Sequence, residues 1–347
     1  MALKIFNESQ VEEIFHDVYD QEAVLDAVEN IFIEYLDGDA GMVPKIYLDI
    51  GVGDDYRAMP AFNKKYACMK WIADYTSNRT KGFPTTQAII ILNDKNTGFP
   101  LAIIEGNHIT RLRTAAATAL ATRELVKDKK IEKISFIGCG EQTTPHIHFI
   151  LNVLNQVEEI SVYDSCKEKA ELLAKSFITP KTVVANSLEE CVANSRVVTT
   201  LTPSMEPYLF RSMLPEICHI NAVGADAVGK RELGDDIFRS KHHKDNGDGT
   251  FETTPTRVVC DDYDQANHSG EMQYLKAENA YDPNGGSVMS LGHLLRNIEQ
   301  FGSSLIGKRD VSGLTVYDST GLAIEDLALA QYVFENSVNV LDEKKTI

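Results

Sequence analysis

Ile134-Ser135-Phe136-Ile137-Gly138-Cys139-Gly140-Glu141-Gln142 is the stretch that decides the fold. Its apolar run has the length of a buried strand, then breaks into Gly-x-Gly and a helix-compatible segment. A second strand-like run, Ile160-Ser161-Val162-Tyr163, leads into Asp164, 26 positions beyond Gly138. Strand, glycine turn, helix, strand and acid make the layout of a dinucleotide-binding βαβ unit. The first glycine permits the tight turn and the second lets backbone approach a pyrophosphate. The helix start offers free N–H groups and the positive end of a dipole to the phosphates. An acid in the position of Asp164 hydrogen-bonds an adenosine ribose diol, which favours NAD over NADP. Lys167 follows closely enough to leave NADP open. The third fingerprint position, usually Gly or Ala, is Thr143, and Pro145 falls in the first helical turns, where a missing N–H costs nothing.

At 347 residues the chain is long enough for two domains. Acidic residues outnumber basic ones by 51 to 34, a net charge of −17. That average field repels both a nucleic-acid duplex and an anionic membrane, so neither is an expected partner. The six cysteines are scattered with no CxxC pair, several within apolar runs where a thiol acts as a small hydrophobe. A reducing cytoplasm is the expected setting. The first ten residues show no signal peptide, and no apolar run has the length of a membrane span.

The first 35 residues read as amphipathic helix, with Val24, Val28, Ile31 and Tyr35 at helical spacing. Between Met42 and Leu101 short apolar runs and turn signals predict a strand-rich region. Its clearest strand is Ala88-Ile89-Ile90-Ile91-Leu92, followed by a turn over Asn93 to Gly98. An alanine-rich helix from Thr114 to Val126 carries the chain into a second domain. From Ile134 strands and helices alternate, with strands at Val197–Leu201, His219–Val223 and Arg257–Cys260. That alternation is the mark of a doubly wound parallel sheet. A helix is expected near Met289 to Glu299. After Leu314-Thr315-Val316-Tyr317 the last helix, about Ala323 to Val340, returns to the first domain. The expected division is residues 1–120 plus 312–347 as a substrate-binding and dimerisation domain of α+β type, with a Rossmann-type domain, 121–311, inserted into it.

A dinucleotide site needs a substrate site. Lys45, Arg57, Lys70 beside Trp71, and Arg113 are basic residues in apolar company. Singly each reads as a solvated charge; together they are what an anionic substrate carboxylate requires, since Arg pairs in bidentate fashion and Lys acts as a point charge. Asn221-Ala222-Val223-Gly224-Ala225-Asp226 places a carboxylate just past a parallel strand's C-terminal end, where ligands of open α/β sheets bind. The bland alternative for Asp226 is a helix N-cap. His242-His243-Lys244-Asp245-Asn246-Gly247-Asp248-Gly249 invites a metal reading, but its spacing lacks the ligands of a calcium loop, and a hairpin turn accounts for it better. No metal is expected, and no role is assigned to this insertion.

Ordered motifs run nearly end to end. They are Val43-Pro44-Lys45-Ile46-Tyr47-Leu48, Arg57-Ala58-Met59-Pro60-Ala61, Met69-Lys70-Trp71, Lys81-Gly82-Phe83-Pro84-Thr85 and Thr97-Gly98-Phe99-Pro100-Leu101-Ala102. Arg113-Thr114-Ala115-Ala116, Ile137-Gly138-Cys139-Gly140, Thr202-Pro203-Ser204, Asn221 to Asp226 with Gly229-Lys230-Arg231-Glu232-Leu233, and Asp318 to Asp326 complete the set. In these the chain resembles the ornithine cyclodeaminase/μ-crystallin family, and within it the archaeal-type NAD-dependent alanine dehydrogenases. The resemblance implies a homodimer joined through the split first domain, with NAD held by the inserted one. It implies that Lys70 and Arg113 bind the substrate carboxylate, helped by Arg57 and Lys45, and that Asp226, with Lys70, does the acid–base work. Gly138, Gly140, Glu141, Gln142, Asp164, Thr202 and Val223 would then line the cofactor, with Ser319-Thr320 near the nicotinamide.

The implied reaction is oxidative deamination of a small L-amino acid through an imine to a 2-oxo acid, or its reverse. In cyclodeaminases the position matched by Arg57 is acidic, which suits the distal ammonium of ornithine; a cation there suits a carboxylate and favours the alanine-dehydrogenase branch. Ornithine cyclodeaminase is the second reading, a ketimine reductase the third, and a non-catalytic NAD(P)-binding crystallin-like protein the fourth. Departures from the family pattern stand at Ala73 to Asn78, where Asp74 adds an acid, and at Glu141 to His146, where Glu141 puts negative charge beside the phosphate turn.

Overall fold

The computed structural model describes residues 2–17, 21–51, 53–126, 130–245, 251–275, 288–301 and 313–343. The chain forms two compact units, Met1–Ala116 with Leu322–Ile347, and Ala117–Gly321.

The first unit is built on one sheet. Its strands are β1 (Lys4–Phe6), β2 (Gly41–Met42), β3 (Ile46–Gly51), β4 (Asp54–Phe62), β5 (Tyr66–Tyr75), β6 (Thr86–Asp94) and β7 (Pro100–Glu105). They lie in the order β1-β7-β6-β5-β4-β2, and β3 also pairs with β4. Only the β1–β7 pair is parallel. Strand alternation sends Met59, Ala61, Cys68, Ile72, Ile90 and Leu92 to one buried face. The C-terminal helix, Ala323–Glu343, packs against β4, β5 and β6 and against α2 (Gln21–Leu36). The opposite face carries a registered row, Ile46–Ala58–Trp71–Ile89, in which Ile46, Trp71 and Ile89 are all exposed. The expected long N-terminal helix is instead β1, α1 (Glu8–Asp17) and α2, with Val24, Val28 and Ile31 buried as their spacing requires.

Helix α3 runs from Asn107 to Leu125, starting seven residues before the alanine-rich stretch suggests. Its opening turn is polar and β-branched, which hides it from periodicity. The Glu105 carboxylate compensates by accepting hydrogen bonds from the Asn107 and His108 backbone N–H groups, which lack helical partners. Arg113 therefore sits on a helix, and the chain passes from the first unit to the second within α3.

The second unit alternates strand and helix. Its elements are β8 (Lys133–Ile137), α4 (Thr143–Val153), β9 (Glu159–Tyr163), α5 (Lys167–Ser176), β10 (Lys181–Val184), α6 (Leu188–Val192), β11 (Val197–Thr200) and β12 (Cys218–Ala222). There follow α7 (Asp235–Phe238), the antiparallel pair β13 (Lys241–Asp245) and β14 (Phe251–Pro255), β15 (Arg257–Cys260), α8 (Tyr263–Ser269), β16 (Val288–Ser290), α9 (Leu291–Phe301) and β17 (Leu314–Asp318). Eight strands form a wholly parallel sheet, β10-β9-β8-β11-β12-β17-β15-β16. The order reverses at β8, so a crevice for a ligand opens where β8 and β11 end. A boundary at 312 would assign β17 to the first unit. It stands instead between β12 and β15 with every residue buried, because an apolar strand needs cover on both faces and a central place in a parallel sheet provides it. β13 and β14 flank the expected hairpin turn, whose residues 246–250 lie outside the described residues.

The loops leaving β11 and β12 approach so closely that a Cβ on Gly224 would lie 2.1 Å from the Thr202 carbonyl oxygen and 2.6 Å from its nitrogen. Backbone cannot step aside as a flexible side chain can. Gly224→Ala is therefore expected to lower the unfolding free energy by about 2 kcal/mol; a melting curve matching the native protein's would show the loops separate at little cost.

Candidate active site

The glycine turn after β8 is held from three sides. Gly138 has φ +96°, and a Cβ there would stand 2.7 Å from the Leu201 carbonyl oxygen, so both conformation and space demand glycine. Thr143, in the place of the usual third glycine, is buried and donates its hydroxyl to the Gly138 carbonyl at 2.8 Å. It fits because that hydrogen bond fastens the helix start to the turn. Asp164 accepts from Cys139 N–H and Cys166 N–H, each at 2.8 Å, tying the turn to the end of β9.

Two observations test whether a dinucleotide fits here. A Cβ on Gly140 would meet no protein atom within 4 Å, so nothing in the protein itself demands a glycine. The side-chain carbonyl of Gln142, at the mouth of α4, is buried without a hydrogen-bond partner among the described residues. Open space beside a bare loop at a helix N-terminus is what a pyrophosphate completes, and the orphaned carbonyl can accept from a hydroxyl of the same cofactor. The residues present fit the group.

Thr202, Val223, Ser319 and Thr320 gather at the C-terminal ends of β11, β12 and β17. Val223 N–H bonds to the Thr200 carbonyl at 3.1 Å and Ser319 N–H to the Ala222 carbonyl at 2.9 Å. Four buried acids hold these turns, a device the sequence reading missed. Asp261 accepts from Thr320 and Gly321 N–H, both at 2.6 Å. Asp318 accepts from Glu271 and Met272 N–H, both at 3.0 Å. Glu271 accepts from Glu232 and Leu233 N–H, at 2.6 and 3.2 Å. Glu232 takes five donors: Thr202 N–H (2.8 Å) and hydroxyl (2.7 Å), Gly224 N–H (2.9 Å), Thr200 hydroxyl (2.6 Å) and Tyr208 hydroxyl (2.7 Å).

Burial pushes all four carboxyls up, Asp318 to about 7, with Asp261 and Glu232 adding repulsion on Asp318. The available signal was position: Asp261 and Asp318 sit at the ends of apolar strands, and Glu232 lies inside the Gly229–Leu233 motif. Asp226 lies in the loop after β12. The next helix starts at Asp235 with Gly234 as its N-cap, so Asp226 caps no helix. Its Oδ1 pairs with the Lys230 ammonium at 2.7 Å, and about a third of its side chain is exposed.

In the first unit the structure brings Lys70 and Arg113 together. Lys70 on β5 is fully buried, with its Nζ 2.6 Å from Asp326 Oδ2 and 3.4 Å from the Thr110 hydroxyl. Arg113 donates through Nη1 to Glu325 at 3.1 Å, and its Nε lies 3.3 Å from Asp326 Oδ1. Both Asp326 contacts are buried ion pairs. Desolvation lowers the Lys70 ammonium to about 8, with Asp326 opposing that shift and Arg113 adding to it. The sequence reading quoted Glu325 and Asp326 but assigned them no role. Arg57, 4 % exposed, is gripped by Asp55 (Nε 2.8 Å, Nη2 3.2 Å) and by Asp74 (Nη2 2.8 Å), with the Tyr47 ring 5.4 Å away. Lys45 precedes β3 and is half-buried.

A doubly wound parallel sheet with a glycine turn at its switch point, in a chain whose other unit buries paired cations, defines an α/β protein of the Rossmann type. The chain belongs to the ornithine cyclodeaminase/mu-crystallin family, whose model matches residues 7–340. It is 33% identical over 341 residues, 98% of this chain and 96% of the relative, to the alanine dehydrogenase of Archaeoglobus fulgidus. Among solved structures it is similar to an archaeal alanine dehydrogenase dimer with bound NAD, at 31% identity and TM-score 0.82, covering 98% of each chain. It is also similar to a lysine cyclodeaminase studied for recognition of L-lysine, L-ornithine and L-2,4-diaminobutyric acid, at 25% identity and TM-score 0.81, covering 99% of this chain and 94% of that one. The relatives are enzymes of amino-acid and imino-acid chemistry. No helix among the described residues is long and apolar enough to cross a membrane, and no cluster of three or more metal-ligating side chains occurs among them.

The Glu232 knot carries its own test. Glu232→Ala strands five donors, two of them backbone, and is expected to cost about 3 kcal/mol or more of stability. Glu232→Gln, which keeps one acceptor, should cost less; equal melting of the two variants and the native protein would remove the knot's structural role.

Proposed function

We propose that this protein is an NAD-dependent oxidoreductase that deaminates a small L-amino acid oxidatively, as an alanine dehydrogenase does. The observation that carries the reading is the pairing of two buried cations, Lys70 and Arg113, on the acids Glu325 and Asp326. Burying such charges costs several kcal/mol per ion before pairing, and apolar residues would pack the same space more cheaply. A carboxylate-binding role gives that cost a purpose. Identity to an alanine dehydrogenase across nearly the whole chain supports the same reading.

Lys70 and Arg113 hold the substrate α-carboxylate, and Glu325 and Asp326 keep the two cations aimed when it is away. Lys45 adds positive potential, while the charge of Arg57 is taken up by Asp55 and Asp74. Asp226, fixed by Lys230, takes the amine proton as the imine forms and guides water onto the imine carbon. Gly138, Gly140, Glu141 and Gln142 cradle the pyrophosphate. Asp164, whose oxygens each accept one loop N–H, offers its further lone pairs to the ribose diol, which favours NAD over NADP without excluding the latter. Thr202, Val223, Ser319 and Thr320 form the nicotinamide end. When bound, the nicotinamide supplies the hydride acceptor.

The exposed row Ile46–Trp71–Ile89 continues as exposed Leu48, Ile50 and Ile5, an apolar sheet face of the kind that a second copy covers. This face is the proposed interface of a homodimer, and the archaeal alanine dehydrogenase to which the chain is similar is a dimer.

One observation favours a second reading. Asp55 and Asp74 outweigh the charge of Arg57, which weakens the case against the distal ammonium of ornithine. An L-ornithine or L-lysine cyclodeaminase is therefore the alternative. Incubation with NAD⁺ separates the two. A dehydrogenase accumulates NADH and a 2-oxo acid from alanine, whereas a cyclodeaminase releases ammonia and a cyclic imino acid from ornithine or lysine with no net NADH. Silence with all three would leave a non-catalytic NAD-binding protein.

Lys70 ties activity to pH. Its ammonium must be charged to hold a carboxylate, so kcat/KM for the amino acid should fall as pH rises through about 8. Asp326→Asn removes an interaction that favours the charged form and should move that fall to lower pH; a profile flat to pH 10 would detach Lys70 from the substrate. Asp226→Asn should lower kcat by about a hundredfold or more while leaving NAD binding within a few fold. Near-normal turnover would end its acid–base role.

A further inference from the structure

Asp55 and Asp74 face each other directly across β4 and β5, an arrangement that like charges ordinarily avoid. One register step further along the same buried face, Arg57 opposes Ile72, and its guanidinium folds back to join both acids. Asp55 spans Nε and Nη2 while Asp74 takes Nη2 at 2.8 Å. The triad carries one net negative charge. It lies along the face that carries Lys70, which opposes Met59 one further step away. Two residues of strand separate Arg57 from the level of Lys70, about 7 Å.

We propose that Asp74, with Asp55, is the specificity-determining element of the substrate site: it sequesters Arg57 and so rejects amino acids whose side chain ends in a carboxylate. The inference rests on the reading that Lys70 and Arg113 hold the α-carboxylate. A side chain extending from there along the face meets the triad. A distal carboxylate reaching it would have to displace Asp74 from Nη2 and lie beside two acids. Like-charge juxtaposition of that kind disfavours binding. A methyl or ethyl side chain stops short of the triad and is indifferent to it. Without Asp74, the Nη2 edge it held can donate to a carboxylate, while Asp55 keeps the guanidinium in place. The acid that stands outside the family pattern in sequence is thus the one that decides which branch of amino-acid chemistry the site accepts.

The test is the rate of ammonia release from L-alanine, L-2-aminobutyrate and L-aspartate with NAD⁺, which follows deamination whether or not NADH accumulates. In the native protein, kcat/KM for aspartate should lie far below that for alanine. Asp74→Asn, nearly isosteric, should raise the aspartate-to-alanine ratio about tenfold or more, and the double variant Asp55→Asn/Asp74→Asn should raise it further. Asp74→Glu keeps the charge and should keep the preference for alanine, which separates selectivity from loss of folding. Alanine turnover that survives all three substitutions with an unchanged ratio would overturn the role of Asp74 and leave the carboxylate assignment standing. Failure of the native protein to deaminate any of the three amino acids would instead strike the proposed function itself.

Discussion

A charge taken out of water has to be answered within hydrogen-bond or ion-pair distance, and most of this molecule's organisation follows from how it meets that demand. In the first unit the answer is Asp326, 2.6 Å from the Lys70 ammonium and 3.3 Å from Arg113. The pairing joins a strand near the start of the chain to a helix at its end, so the first unit closes around its own buried charges. In the second unit the demand is met by backbone. Asp261, Asp318, Glu271 and Glu232 each accept from N–H groups of the next turn, so the loops beyond the strands are bound to one another. Both devices place side chains where ligand chemistry is proposed, and both exchange desolvation cost for precise position.

The two units solve different problems. The parallel sheet is buried on both faces, and the polar side chains inside its strands, such as Ser135, His219, Asn221 and Thr315, meet hydrogen-bond partners there. In the first unit's mixed sheet, helices cover one face. Its inner face mixes apolar residues with Asp55, Arg57, Lys70 and Asp74, and its outer face leaves Ile46, Trp71 and Ile89 exposed. Hydrophobic content on an outer face is normal where another surface covers it, and a proposed dimer accounts for the pattern.

Arg57 shows how pairing changes the meaning of a residue. As a letter in a motif it is a cation and argues for an anionic partner. In place it belongs to a group with a net negative charge. The same holds in weaker form for Lys70, whose full burial lowers its affinity for a proton while Asp326 restores part of it. Functional readings drawn from the sign of a side chain hold only when its immediate partners are known.

By itself the sequence determined the parallel-sheet unit, its glycine turn, the acid at the end of the second strand, and the presence of a second unit split across the two ends of the chain. These features are local: apolar runs of strand length, glycines at a fixed offset and an acid after a strand are read within one βαβ span. Tertiary structure decided the place of β17, the early start of α3 under the Glu105 carboxylate, the four-acid chain, and the partners of Arg57, Lys70 and Arg113. Each depends on residues far apart in the chain or on neighbouring strands, as with Arg113 and Glu325 or Asp74 and Arg57. Periodicity reports which face a residue takes; only the packed fold determines which charge it meets there.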